Sequence, residues 1–453
     1  ANNDIYIATS TVSNDFPTTG GSIQPISSGG QEACVFKLNS TLTNLIWSTY
    51  IGGTSDDAGY SLQFDETDNI LITGGTASND FPTTSGTLLP AFQGGDSDGW
   101  VSKINSTAST LIASTYIGTA AYDQSYFVQL DTANNVYVFG QTEGTYPIAP
   151  STVYNDPNSG QFLHKLSSDL STTIFSTTFG NSSGTTDIAP SAFLVNQCNY
   201  ILISGWGGSL NNLVGNATNS TTTGLPITPN AIQNSTDGED YYLAMFGEDA
   251  DTLLYATYFG GAFSQDHVDG GTSRFDKKGI VYQAVCASCG VETTDFPTTS
   301  GAWSNTDNSL SAGNNSQCNM AVFKMNLTQL TADADVYTTP FYCIGDSVPF
   351  QNISNGGVTF TWDFGDGSPV SNLIEPWHTY TATGTYNVRL IVVDAVSCIL
   401  EDTAYVDVFI GAPPVATVLP VNGICPKDSV VINVSGGDSS IWITDYNIIN
   451  DTT

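Results

Sequence analysis

The feature that most constrains this chain is a repeat of about 65 residues running through its first 330 positions. Phe16-Pro17-Thr18-Thr19 returns as Phe81-Pro82-Thr83-Thr84 and Phe296-Pro297-Thr298-Thr299, with weaker copies at Tyr146-Pro147 and Leu225-Pro226. The five prolines are spaced by 65, 65, 79 and 71 residues. Ser48-Thr49-Tyr50-Ile51-Gly52 returns at 114–118, 176–180 and 256–260. Short runs ending at Lys37, Lys103, Lys165 and Lys324 place four of the nine basic residues in one register. An Asp or Asn (Asp65, Asp131, Asn196, Asp276) opens a turn before each of four further apolar runs.

Each unit reads as four short strands; in one copy they are Trp100–Asn105, Leu111–Gly118, Tyr126–Asp131 and Asn135–Gln141. Apolar and polar residues alternate within them, and Gly, Asn, Asp and Ser separate them. A four-stranded antiparallel meander cannot bury both faces alone, and stacking several around an axis solves that. The expected fold class is therefore all-β, a β-propeller of four-stranded blades. The chain opens on the last strand of a unit (Asp4–Thr9), closes on a first strand (Met320–Asn326) and holds four full units between. A closed ring of six to eight blades would then need upstream sequence or closure by other segments. Residue 1 is Ala, which reads as a processed or excerpted start.

Acidic residues outnumber basic ones 43 to 9, a net charge of −34. That argues against nucleic acid and anionic lipid as partners, since both need clustered Lys and Arg. No apolar run approaches the ~20 residues of a spanning helix, so membrane insertion is not expected. Asp supplies 35 of the acids, and Asp favours turns and strand ends. The Asp at 57, 65, 123, 131, 187, 266 and 276 are read as turn-holding residues. No cofactor is expected. Calcium is the one ion the composition suggests, although no D-x-[DN]-x-[DN]-G-x₅-E loop is present.

The eight cysteines and the small share of charged residues, 11%, fit an extracellular, disulfide-permissive setting. Cys286-Ala-Ser-Cys289 with Cys318 and His267 could be read as zinc ligands, but a second paired knuckle is missing. Structural disulfides among Cys198, Cys286, Cys289 and Cys318, of open pairing, are the simpler reading.

The repeat resembles the SBBP family of β-propeller repeats, through its K-[LI]-N run, its STY-[IF]-GG turn, the Asp-x-x-[DN]-N-[IV] strand entry and the tail from Gly74 to Thr84. The stretch from His267 to Asp276, continuing to the CxxC, resembles a late blade of type IX-secreted, gliding-motility-associated proteins of Bacteroidota. Residues 331–410 resemble a PKD domain: Trp362-Asp363-Phe364-Gly365-Asp366-Gly367-Ser368 is followed by His378-Thr379-Tyr380 and Gly384-Thr385-Tyr386-Asn387-Val388. The resemblance implies an Ig-like β-sandwich of about 80 residues. Trp362 and Phe364 should share one face of a strand, and Asp363 and Asp366 should accept N–H groups around the glycine turn. Those two Asp are the calcium candidates, and Cys343 and Cys398, flanking the sandwich, are expected to be bonded. Residues 411–453, after Gly411-Ala412-Pro413-Pro414, read as the opening of a further Ig-like module.

No G-x-S-x-G, H-E-x-x-H or Walker sequence occurs, and the three His fall in separate repeats or domains. No catalytic residue is assigned, and the chain is not expected to be an enzyme. The recurrent Tyr50, Tyr116, Phe179 and Tyr258 are read as packing residues rather than a sugar platform; His267 and Arg274 are the charged pair to watch. The leading reading is a non-catalytic secreted or cell-surface adhesion or scaffold protein, a modular stalk with protein or glycan partners. The alternatives are a subunit of a self-associating extracellular filament and an accessory region of a secreted hydrolase.

Overall fold

The structure, a computed structural model, describes residues 3–213, 219–268, 274–290, 295–306, 318–327, 330–337, 341–394, 400–412, 417–418 and 434–435. The chain divides into two compact units, Ala1–Thr328 and Gln329–Thr453. Among the described residues there is no α-helix, only two 3-10 turns at Ser209–Leu213 and Glu248–Ala250.

The first unit holds five antiparallel sheets in chain order. Sheet one has β1 (Ile5–Thr11), β2 (Glu32–Leu38) and β3 (Leu45–Ile51). Sheet two has β4 (Asp57–Phe64), β5 (Ile70–Thr76), β6 (Asp98–Ile104) and β7 (Leu111–Ile117). Sheet three has β8 (Asp123–Leu130), β9 (Val136–Thr142), β10 (Gln161–Leu166) and β11 (Thr173–Phe179). Sheet four has β12 (Ala189–Val195), β13 (Ile201–Trp206), β14 (Tyr241–Phe246) and β15 (Leu253–Phe259). In sheet five, β16 (Gln265–His267) and β17 (Arg274–Phe275) both pair with β18 (Ile280–Cys289), which pairs on its other side with β19 (Asn319–Asn326).

Alternation explains why these sheets stack. β5 sends Ile70 and Ile72 into the core shared with sheet one and Leu71 into the core shared with sheet three. β14 sends Tyr242, Ala244 and Phe246 toward sheet three, and Tyr241, Leu243 and Met245 toward sheet five. Both faces of a middle sheet are thus buried, which a single meander could not achieve. The first strands β4, β8 and β12 pack side by side. This is the β-propeller arrangement of four-stranded sheets.

The phase of the repeat differs from the sequence reading. The strands grouped there as one unit, from Trp100 to Gln141, are β6 and β7 of sheet two followed by β8 and β9 of sheet three. The long FPTT-bearing loop joins β5 to β6 inside one sheet, while the short crossover from Ile117 to Asp123 passes between sheets. Periodicity reports the period but not where the sheet begins, and the longer loop was taken for the boundary. The chain accordingly enters on the second strand of its first sheet.

The second unit is a β-sandwich. One sheet has β20 (Ala334–Val336), β22 (Ser347–Asn352) and β24 (Trp377–Thr379). The other runs β21 (Phe341–Cys343), β26 (Glu401–Gly411), β25 (Gly384–Val393), β23 (Thr359–Asp363), with β21 parallel to β26. Trp362, Phe364, Tyr380, Leu390 and Val408 fill its core. Leu330, counted with the repeats in the sequence reading, is buried in this core. Most of residues 411–453, the expected third module, lies outside the described residues, apart from a short pairing of β27 (Thr417–Val418) with β28 (Val434–Ser435).

Candidate functional site

The recurring motifs meet one another. The Tyr116 hydroxyl accepts the Phe81 N–H at 3.0 Å and donates to the Ser78 carbonyl at 2.8 Å. Ser114 donates to the Pro82 carbonyl at 2.6 Å. The first copy repeats this: the Tyr50 hydroxyl takes the Phe16 N–H at 3.0 Å and gives to the Ser13 carbonyl at 2.8 Å. STY on the outer strand therefore clamps the FPTT loop. Tyr50, Tyr116, Phe179 and Tyr258 are all buried, which is packing and not an open stacking platform.

The turn acids form a second set of ties. Asp65 accepts the N–H groups of Thr67 and Asn69, both at 2.9 Å. Asp131 accepts those of Ala133 and Asn135, Asn196 those of Cys198 and Tyr200, and Asp276 those of Lys278 and Ile280. Lys103 bridges Asp65 at 2.8 Å, and Lys165 bridges Asp131 at 3.2 Å and Asp249 at 2.6 Å. Burial works to raise the Asp65 carboxyl, but Lys103, Asn69 and Thr67 together hold it well below the usual carboxylate range.

These turns rim a concavity of about 330 Å³ where the ends of β4, β8 and β12 come together. Its lining combines amides (Gln63, Gln129, Asn134, Gln197) with the apolar edges of Phe64 and Leu130. It contains no histidine, cysteine or serine. Amides beside an exposed aromatic edge suit a neutral hydroxylated ligand, whose hydroxyls they can hydrogen-bond. At the rim Asp65 is bridged by Lys103 and Asp131 by Lys165, which Asp249 shares, and Glu66 also lines the concavity.

A third set of acids behaves differently, and sequence reasoning merged it with the turn acids. Asp57, Asp123, Asp187 and Asp266 sit where each crossover between sheets enters the first strand, and they are fully buried. Burial, opposed by hydrogen bonds and reinforced by nearby acids, pushes Asp57 and Asp123 up to about 6, and Asp187 and Asp266 up to about 7. Glu32, Asp98 and Asp240, at the start of the third strands, are equally buried; burial pushes Asp98 to about 7 and Asp240 to about 8. Among the described residues Lys37, Lys103 and Lys165 bridge Asp4, Asp65, Asp131 and Asp249 and none of these junction acids, a separation that shows only once the strands are paired.

Cys289 is disulfide-bonded to Cys318, and Cys198 is also disulfide-bonded. The bond removes two ligands from the zinc reading; His267 instead packs against Trp206, the rings tilted by 48° with centres 5.7 Å apart, and its Nδ1 lies 3.8 Å from Cys289 Sγ. Cys286 lies opposite His267 in the β16–β18 register. Arg274 is exposed on β17, and Asp269 to Ser273 of the same stretch lie outside the described residues. The bond expected between Cys343 and Cys398 is not formed: Cys343 is a free cysteine. It pairs opposite Gly411 at the end of β26, and Cys398 lies outside the described residues.

In the sandwich, Trp362 and Phe364 are buried and Asp363 is half-buried, as the alternation predicts. Asp363 accepts the Gly365 N–H at 3.2 Å and pairs with Arg389 at 3.1 Å. Asp366 accepts the Ser368 N–H at 3.0 Å and pairs with His378 at 2.8 Å. His378 in turn stacks on Phe364 with ring centres 4.0 Å apart. Gly365 has φ +75°, and a Cβ there would lie 2.8 Å from the Asn387 carbonyl oxygen, so the turn requires glycine. Both calcium candidates thus already have basic partners within the domain.

Comparison with known proteins agrees with these two architectures. The PKD domain family matches residues 334–408, and the beta-propeller repeat family SBBP matches residues 46–82. Human polycystin-1 is 59% identical over 46 residues, 10% of this chain and 1% of polycystin-1. The PKD1 domain of Vibrio anguillarum Epp is 30% identical, with a TM-score of 0.16, covering 18% of this chain and 95% of that one. A PL25 ulvan lyase, a polysaccharide lyase, is 11% identical with a TM-score of 0.36, covering 92% of this chain and 83% of that one. The chain thus carries an SBBP β-propeller repeat and a PKD domain.

Proposed function

We propose that this chain is a non-catalytic adhesion or scaffold protein of the bacterial cell surface or extracellular matrix, a modular stalk or scaffold of the type IX-secreted kind. The observation that supports this most is the use of the recurring polar residues. Tyr, Ser, Asp and Lys at repeat spacing tie strands and loops to each other, so the repetition serves rigidity. The PKD domain and the disulfide are compatible with an extracellular location. The amide-lined concavity at the ends of β4, β8 and β12 is the contact surface for a neutral glycan.

A glycan array probed with the chain tests this, alongside turnover assays on glycan, peptide and phosphoester substrates. Binding without turnover, weakened by Phe64→Ala together with Gln129→Ala, is the expected result. Turnover abolished by one Asp or His substitution would refute the non-catalytic reading.

A further inference from the structure

The buried acids come in facing pairs. Strand register places Glu32 opposite Gly52, one step before the Ala33–Ile51 pair, and Asp98 opposite Gly118, one step before Gly99–Ile117. Asp240 stands opposite Gly260, one step before Tyr241–Phe259. In each case the following crossover brings a second acid to the same glycine. A Cβ on Gly52 would touch Glu32 Oε2 and Asp57 Oδ2; on Gly118, Asp98 Oδ1 and Asp123 Oδ2; on Gly260, Asp240 Oδ1 and Asp266 Oδ2, all within 3.1 Å of that point. Each pair of carboxylate oxygens therefore converges over a residue that has no side chain to separate them.

Hydrogen bonds satisfy only part of each pair. Asp57 Oδ2 accepts the Gly53 N–H at 2.7 Å, Asp98 Oδ2 the Gln93 N–H at 2.5 Å, and Asp266 Oδ2 the Gly261 N–H at 2.6 Å. Asp98 Oδ1 and Asp240 Oδ1, which point at the facing acid, are buried with no hydrogen-bond partner, and so is Oδ1 of Asp57 and Asp123. Among the described residues no lysine or arginine bridges any of the six acids. Buried like charges this close require a cation or a shared proton.

We infer that Glu32/Asp57, Asp98/Asp123 and Asp240/Asp266 are three repeated Ca²⁺ sites, one at each of three sheet junctions. The donors are all hard oxygens, the preference of Ca²⁺ over zinc or copper. Among the described residues no three ligating side chains converge, so water and backbone oxygens complete the shell, and affinities on the order of 0.1–1 mM follow, as in extracellular calcium modules. The junction between sheets three and four is an internal control. Its register position opposite Gly180, one step before the Gln161–Phe179 pair, is Gly160, and a Cβ on Gly180 would meet Asp187 Oδ2 and Ser159 rather than a second carboxylate; Asp156 stands nearby but accepts the Gly180 N–H at 3.3 Å.

The test is calorimetric titration of the chelator-treated 453-residue chain with CaCl₂, with parallel thermal unfolding. The expected result is three saturable equivalents, a rise in the unfolding midpoint of the first unit, the loss of one equivalent in each of Asp98→Asn and Asp240→Asn, and no loss in Asp187→Asn. Asn is isosteric and removes repulsion, so these variants retain the fold, which circular dichroism checks. Uptake that never saturates would overturn the inference, as would three equivalents surviving in both variants or an equal response to MgCl₂. Should either variant fail to fold, the unsubstituted chain still decides: a midpoint unmoved by Ca²⁺ leaves only a shared proton and refutes the sites.

Discussion

The phenol of Tyr116 carries two backbone groups that nothing else reaches, the Phe81 N–H and the Ser78 carbonyl. Leaving a buried polar group unpaired costs about 1–3 kcal/mol. Tyr116→Phe should therefore lower the unfolding free energy of the first unit by about 2–4 kcal/mol in urea titration. Tyr50→Phe should lower it less, because Phe16 and Ser13 are only partly buried and water can replace the hydroxyl. A loss below ~0.5 kcal/mol for Tyr116→Phe would mean the repeated tyrosine serves something other than this clamp. The register of Tyr50 and Tyr116 was readable from the sequence, and so was their packing role. Their partners were not, because they are main-chain atoms of a loop whose path no spacing reveals. The acids show the same limit. Asp57 and Asp65 are one residue type in one repeat, yet one closes a junction and the other holds a lysine-bridged turn.

At the level of strands, the sequence located the β segments well and grouped them wrongly. Leu111–Gly118 and Asn135–Gln141 match β7 and β9 to within a residue, because apolar alternation marks strands directly. The inner strand was started at Tyr126 although β8 begins at Asp123, since a buried Asp at a strand end looks like a turn residue. In sheet five the Cys289–Cys318 bond holds β18 to the residue that leads into β19. The bond closes a loop of sequence separation 29. Chain-entropy reasoning gives a bridge of that span about 3–4 kcal/mol. The double substitution Cys289→Ala with Cys318→Ala should lower the stability of the first unit by roughly that amount and open β16–β18 to hydrogen exchange before β5 or β9. Unchanged protection in β18 would show that packing against sheet four suffices without the bridge.

For the whole molecule, the two units should answer pH with opposite signs. Asp187, pushed up to about 7 from an ordinary 3.8 by burial, holds a proton in the folded state that the unfolded chain has already released above about 4. The folded state binds more protons across that window, so stability falls as pH rises through it and grows as pH falls from 8 toward 5. The other junction acids have the same sign when no cation is bound. His164, lowered to about 4 by burial, opposes them below pH 6.5, but as a single group. In the sandwich, Asp366 is held at about 2: burial works to raise it, and hydrogen bonds to Ser368 and His378 outweigh that. Its contribution is intact above pH 4 and lost as the pH falls toward 2. Scanning calorimetry in chelator should therefore show the transition of the first unit moving up between pH 8 and 6, with that of the sandwich unmoved by Asp366. Asp187→Asn should shrink the first shift, and Trp362→Ala, which empties only the sandwich core, identifies the second transition. A first-unit transition that is flat or rises with pH would remove the premise that these acids are buried unpaired. General repulsion from the net charge of −34 offers no substitute explanation. Exposed carboxylates are fully ionised above about pH 6, so their mutual repulsion is constant between 6 and 8. Besides the three histidines and the N-terminal amine, what changes in that interval comes from groups whose ionisation the fold has delayed.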